Sequence, residues 1–244
     1  MTIFHCLRIC RAGLATNFHV FSMMILFSLI QFTTVCLLYT AYQYISDTQM
    51  LYEDLFVTFP IFVTLNLTKP SSRLSKERPM TSFFDAKAVA SMLGQVFLQF
   101  FAQLGFLLYL ISYKEFQEEK NLAHKYFIET GNFMSKSVTV ISLFVLSNYL
   151  YLGVVLSTSV SKPFRKPFYT NPWYTLILVL LWVYNTMIVV VPSMAPEEIR
   201  KKIVSENEES IIVISMILGN LMMVLMYLYE NLLSFVWKKC KQAR

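Results

Sequence analysis

ISDTQMLYEDLFVTFPIFVTL spans residues 45–65. Three acids, Asp47, Glu53 and Asp54, stand in it, with apolar chain on both sides. Its reading decides the fold. A bilayer core takes about 20 residues of helix. With Asp54 outside the membrane, the remaining apolar run 55–67 is too short to cross. With Asp54 inside, 48–67 is a complete span, and the chain crosses an even number of times.

The rest of the chain argues for the second reading. Of its 244 residues, 56% are hydrophobic and 15% charged, and mean hydropathy is +0.52. A soluble domain of that size needs more polar surface, so an integral membrane protein is expected. Six apolar segments are long enough to cross, roughly 17–44, 48–67, 86–112, 136–160, 173–194 and 210–237. The expected fold is all-α: a polytopic six-helix transmembrane bundle forming one domain over 1–244.

Charge gives the direction. Fourteen of the 21 Lys and Arg fall on one side of these spans, in 8–11, 69–87, 162–166 and 238–244. The other side holds seven, with nine glutamates from Glu115 to Glu209. The positive-inside rule therefore places both termini in the cytosol. The basic residues sit in short loops between apolar spans, so the pI near 9.1 does not point to nucleic acid. Asn66-Leu67-Thr68 matches a glycosylation acceptor but falls on the cytosolic side. Tyr42, Tyr44, Tyr52, Trp173, Tyr174 and Trp237 cluster at span ends, as an interfacial belt does. Cys6, Cys10, Cys36 and Cys240 form no CxxC pair, Cys36 reads as a packing residue, and His5, His19 and His124 are far apart, so no metal site is expected. The segment 196–210 reads either as a short surface helix or as a solvated loop.

The intramembrane acids carry the functional signal. A carboxylate at the bilayer centre costs at least about 3 kcal/mol, so such residues line a pathway or pair with a cation. Asp47 and Asp54 are seven residues apart, nearly two α-helical turns, on one face and about 10.5 Å apart along the axis. Two anionic stations at different depths suit a long cation with separated charges better than a metal ion. Asp47 reads alternatively as a rim acid, and Asp54 as a structural partner of a neighbouring helix. Glu53 points to another face and is given no role. Gln31 reads either as an interhelical hydrogen bonder or as a substrate contact. Gln95, Gln99 and Gln103 form a one-face ladder that reads as helix-packing glue. Pro60 should bend or locally open the second span and free backbone carbonyls. The chain has no GxxxxGK[ST], DKTGT or GDGxND motif, so it is not expected to hydrolyse ATP alone and no catalytic residue is assigned.

RICRAGLATNF (8–18) resembles the stretch that leads from the phosphorylation domain into the fifth membrane helix of P-type transport ATPases. FSLIQFTTVCLLYT (27–40) resembles that helix, and SDTQMLYEDLFV (46–57) the GDxQFLxIDLxI start of the sixth. ERPMTSFFDAKAVASMLGQ (77–95) and SKPFRKPFYTNPWY (161–174) are similar to the loops and helices that follow. In this order they resemble the C-terminal six-helix half of the fifth subclass, B branch, the endolysosomal polyamine transporters. The resemblance implies a pump moving polyamines from lumen to cytosol through an aspartyl-phosphate intermediate, in the late endosome or lysosome membrane. It implies that Asp47 and Asp54 match paired acids of the substrate path and Gln31 the fifth-helix glutamine. ATP and Mg would be bound by the complete family member and not by this chain.

Phe27, Ser46 and Glu53 depart from the pattern, where the family has tyrosine, glycine and an apolar residue, and the loop 113–135 is short. The family's PPALP-type fourth helix and its cytosolic domains have no counterpart here. Expected partners are therefore membrane lipid, a polyamine or other organic cation, and an N-terminal catalytic portion or a full-length pump. The alternative is a non-enzymatic six-span accessory subunit or regulator of such a pump.

Overall fold

The computed structural model describes residues 2–72, 74, 85–135, 137–159, 164–191 and 206–242. Its elements are α1 (Thr2–Tyr39), α2 (Asp47–Tyr52), a π-helical turn (Glu53–Thr58), α3 (Phe59–Asn66), α4 (Ala86–Ile111), α5 (Lys114–Thr130), α6 (Val138–Thr158), a 3₁₀ turn (Phe168–Thr170), α7 (Pro172–Val190) and α8 (Glu206–Gln242). The described residues contain two isolated β-bridges and no strand. Five helices, α1, α4, α6, α7 and α8, are each long and apolar enough to cross a membrane. Asp47–Asn66 runs helically without a break for 20 residues, about 30 Å at 1.5 Å per residue, but changes hydrogen-bond pattern twice. The all-α polytopic expectation holds.

The helix ends differ from the apolar runs in two places. α1 starts at Thr2 and not near residue 17, because nothing in 2–16 breaks a helix and its polar residues tolerate water. It ends at Tyr39, before a turn in which Tyr42 adopts φ 58°. The segment 113–135 is not a plain loop: α5 fills most of it, closed by Gly131 in the left-handed region at φ 72°. Glu119 of α5 explains its placement. Its carboxylate accepts the Val138 and Thr139 N–H groups at 2.9 and 3.4 Å and the Thr139 hydroxyl at 2.9 Å, capping the first turn of α6. The expectation for 196–210 lies mostly outside the described residues.

α6 is the centre of the bundle. It is apolar on every side, so it has no solvent or lipid face to keep, and its whole spanning window is buried. α1, α4, α7 and α8 pack around it. The tightest seam is between α6 and α8, where glycine replaces side chain on both helices. A Cβ on Gly219 would lie 2.6 Å from Tyr149 Cβ, and one on Gly153 would lie 2.9 Å from Met226 Sδ and 3.2 Å from Met223 Cα. The methionine sulfur can move aside, but Tyr149 Cβ and Met223 Cα are fixed by their backbones. Gly219→Ala is therefore expected to destabilise the bundle by about 1–3 kcal/mol through overpacking. Gly105→Ala, with nothing within 4 Å of the added atom, should leave the melting temperature in detergent unchanged or slightly raised.

Two smaller readings change. Cys36 is exposed at the bundle surface and not packed inside it. Tyr174 is fully buried, so the rim reading suits Trp173, 62% exposed, but not its neighbour.

Candidate functional site

The acid-bearing segment is built by three local rules. Ser46 caps α2: its hydroxyl accepts the Gln49 N–H at 3.4 Å, and the Gln49 side chain accepts the Ser46 N–H at 3.1 Å. This reciprocal S-x-x-Q box fixes the helix start. Asp47 then sits in the first turn, where the positive end of the helix dipole favours a carboxylate. Farther along, Pro60 has no N–H to give the Phe56 carbonyl, and its ring would clash there. The helix widens upstream of it. The Phe59 N–H reaches the Asp54 carbonyl, five residues back, within the Glu53–Thr58 π turn. The opening expected at Pro60 is thus present, and it contains both Glu53 and Asp54.

The π turn also sorts the side chains. Gln49, Glu53, Val57, Ile61 and Leu65 are buried, a strict repeat of four. At 3.6 residues per turn such a repeat drifts about 40° with each step. The wider turn takes up part of that drift, which keeps five residues on one face. Asp47 and Asp54 fall outside this stripe and are exposed. Asp54 makes no hydrogen bond or ion pair among the described residues, although it stands well inside the 20-residue segment. Gln31, on α1, is half-buried. The three predicted site residues form no hydrogen bond with one another.

Glu53, given no role in the sequence reading, is the buried acid of the segment. Only 1% of it is exposed. Ser147 donates to one carboxylate oxygen at 2.9 Å and Tyr151 to the other at 3.2 Å, both from α6. Phe27 packs edge-on against Tyr151, with ring centroids 4.9 Å apart. Beside it, the Tyr52 hydroxyl donates to Asn185 of α7 at 3.3 Å. Glu53 therefore pins the π turn to the central helix while Asp54, its neighbour, is turned outward. The signal that could have found it is the four-residue repeat, which runs straight through position 53.

The glutamine ladder is buried between helices. Gln103 donates to the Ile30 carbonyl at 3.4 Å and accepts from Thr34 at 3.2 Å, joining α4 to α1. Gln95 donates to the Met226 carbonyl of α8 at 3.3 Å. Gln99, between them, is 1% exposed with neither amide atom hydrogen-bonded. On the same seam Ser91 donates to Glu230 at 2.6 Å. Among the described residues no three His, Cys, Asp or Glu side chains converge as a metal set.

The far end of the segment is held by the 164–171 stretch. Arg165 donates to the carbonyls of Leu65 at 3.3 Å, of Asn66 at 3.1 Å and of Thr68. Asn171 donates to the Thr64 carbonyl at 2.7 Å and accepts the Tyr174 N–H at 3.3 Å, so one residue closes α3 and opens α7. Burial lowers the Arg165 pKa from its ordinary value, yet the guanidinium stays charged at neutral pH.

A helical membrane bundle with an unpaired carboxylate beside a proline-opened turn is a common plan for cation-path domains. The family described as Cation transporting ATPase, C-terminus matches residues 42–232, and the chain belongs to that family, within its C-terminal transmembrane region. The mouse protein named Polyamine-transporting ATPase 13A3 is 28% identical over 202 residues, covering 78% of this chain and 16% of its own length. The human Polyamine-transporting ATPase 13A2 is 32% identical over 191 residues, covering 75% and 15%. The Saccharomyces cerevisiae Vacuolar cation-transporting ATPase YPK9 is 32% identical over 161 residues, covering 66% and 10%. The chain thus spans about one sixth or less of the length of these relatives.

Proposed function

We propose that this chain forms the cation path of an ATP-driven pump whose substrate is a polyamine or a similar organic polycation. The observation that carries the reading is Asp54: a carboxylate within the 20-residue helical segment Asp47–Asn66, which we read as a sixth span, exposed and without a described hydrogen-bond or ion-pair partner. An unpaired charge at that depth is costly unless a cation completes it. Asp47, nearer the helix start, offers a second negative station, and Gln31 offers an amide to an elongated amine. The family match over residues 42–232 contains Asp47 and Asp54, and relatives of this chain are named as polyamine-transporting.

The chemistry asked of the site is exchange of hydration for fixed ligands. A primary ammonium leaving water needs up to three acceptors. The Asp54 carboxylate supplies charge, and Pro60, which has no N–H, leaves a backbone oxygen of the preceding turn without its helical donor. Orientation follows from charge: the basic loops face the cytosol, the Asp47 end faces the lumen, and both termini are cytosolic. Movement from lumen to cytosol, through a late endosomal or lysosomal membrane, follows instead from the resemblance to the polyamine-transporting ATPases. ATP and Mg act in a catalytic portion, in the same polypeptide or in a partner pump. The same open Asp54 face also suits the accessory-subunit reading, in which the chain presents it to a full-length pump.

Flux in proteoliposomes tests the substrate. The assembled ATPase carrying this membrane region should move labelled spermine only with ATP, and excess potassium or calcium should compete weakly. Potassium- or calcium-driven flux with no spermine movement would refute the polycation assignment.

A further inference from the structure

The bundle end that carries Asp47 also holds an open cavity of about 880 Å³. The C-terminal half of α5, the end of α1 and the two stretches joined by the Gln43–Met134 bridge build it. Four aromatic rings line it, those of Tyr39, Tyr44, Tyr126 and Phe133. Glu129 is the one carboxylate and Lys125 the one ammonium among its described lining residues. The bridge fixes two of the rings: the Tyr44 N–H donates to the Met134 carbonyl and the Met134 N–H to the Tyr42 carbonyl, both at 3.1 Å. Tyr39 stacks on Phe133 with ring centroids 4.9 Å apart. Tyr39 and Tyr126 remain 50% and 43% exposed, so ring surface is left for a ligand.

The charge of this cavity is set by the end of α5. Gly131, at φ 72°, stops the helix, and no described hydrogen bond uses the carbonyls of residues 128–130. The last turn of α5 carries no basic residue, so the negative end of its dipole lacks the usual cation. Glu129 adds a full negative charge at the same place. The ring faces attract an ammonium further. Lys125 already answers this field, with Nζ 3.9 Å from Glu129 Oε1. An exposed pair of that kind is weak, so a free ammonium can displace it. A single carboxylate set among rings suits an organic ammonium, whose methylenes cover the rings, better than a metal ion that needs six or more oxygens.

We propose that this cavity is a docking station for an organic polycation, which places one ammonium on Glu129 and the α5 carbonyls in the position Lys125 now holds. Tyr44 is three residues before Asp47, so their Cα atoms are at most about 11 Å apart. An elongated amine held here can reach Asp47 with its leading end. The substrate class rests on the cation-path reading of Asp54; the cavity and its charge do not.

Titration calorimetry of spermine into the full chain in phosphatidylcholine nanodiscs tests the site, with spermine-dependent ATP turnover of the assembled ATPase as the second readout. In Glu129→Gln/Tyr126→Leu, spermine affinity should fall about tenfold, about threefold for each group removed. Lys125→Gln removes the tethered competitor and should raise affinity about twofold. All three side chains are exposed, so melting temperatures should match the parent. In turnover, the double variant should raise half-saturating spermine about tenfold and leave the maximum unchanged, whereas Asp54→Asn lowers the maximum. Absence of spermine binding to the parent, parent affinity in the double variant, or weaker binding in Lys125→Gln would overturn the docking station and leave the Asp54 reading standing. An inert Asp54→Asn together with weakened binding in the double variant would remove the path reading and keep the cavity as an amine site.

Discussion

Asp54→Asn in the assembled ATPase is expected to lower spermine-stimulated ATP turnover by about 100-fold or more while leaving the protein folded. The substitution preserves shape and removes only charge. Asp54 makes no described hydrogen bond that the amide would lose, so the bundle has little reason to respond. Its effect falls on the substrate, because truncating one partner of a desolvated charge pair typically costs 2–5 kcal/mol, and about 2.7 kcal/mol corresponds to 100-fold. Asp47→Asn should do less, about five- to tenfold. Asp47 stands at the helix start, where water and salt screen its charge and where the helix dipole already occupies part of its field. Turnover measured against spermine concentration separates the two. Equal losses would mean that depth in the segment does not matter, and an unchanged Asp54→Asn enzyme would remove Asp54 from the path.

Glu53 gives the second large effect, and its sign differs by probe. Glu53→Ala leaves the Tyr151 hydroxyl buried without its acceptor, while the Ser147 hydroxyl keeps the Phe144 carbonyl at 2.8 Å. The orphan costs about 1–3 kcal/mol, and the vacated volume adds a cavity term. A loss of about 2–4 kcal/mol is therefore expected, seen as a large drop in melting temperature or failure to purify as a single species. Glu53→Gln keeps an acceptor oxygen in nearly the same place and should recover most of that stability. Turnover should follow the same order. Glu53 acts by positioning: it ties the π turn to α6 so that the adjacent Asp54 stays outward. A Glu53→Gln protein that is stable yet inactive would instead place Glu53 in contact with the substrate.

The fold was legible in the sequence because membrane burial writes itself as length. Spans at 86–112, 136–160 and 173–194 needed only an apolar run and polar loops, and the helices end within a few residues of them. What lay outside the bilayer was less visible. α5 is polar on average, so hydropathy could not distinguish it from a loop; its docking depends on Glu119 meeting the first turn of α6. The early start of α1 was hidden for the same reason.

The site was legible in part. The proline-opened turn could be read from the missing N–H of Pro60. The inward face could not. An α-helical wheel treats the seven-residue step from Asp47 to Asp54 as regular, whereas the π turn begins at Glu53 and resets the faces. Which neighbour of Asp54 points inward is decided by Ser147 and Tyr151, about 95 residues away in the chain. No local pattern carries that information except the four-residue repeat from Gln49 to Leu65. The clamp on α3 was equally hidden, because Arg165 and Asn171 act on carbonyls, which every residue has.

The most direct test of the central claim is a cryo-electron-microscopy structure of the assembled ATPase trapped with spermine. The account predicts an amine nitrogen within hydrogen-bonding distance of the Asp54 carboxylate, with the remaining amines running toward Asp47 and Glu53 still held by Ser147 and Tyr151. Spermine on a face that excludes Asp54, or Asp54 turned to lipid in the bound state, would contradict it.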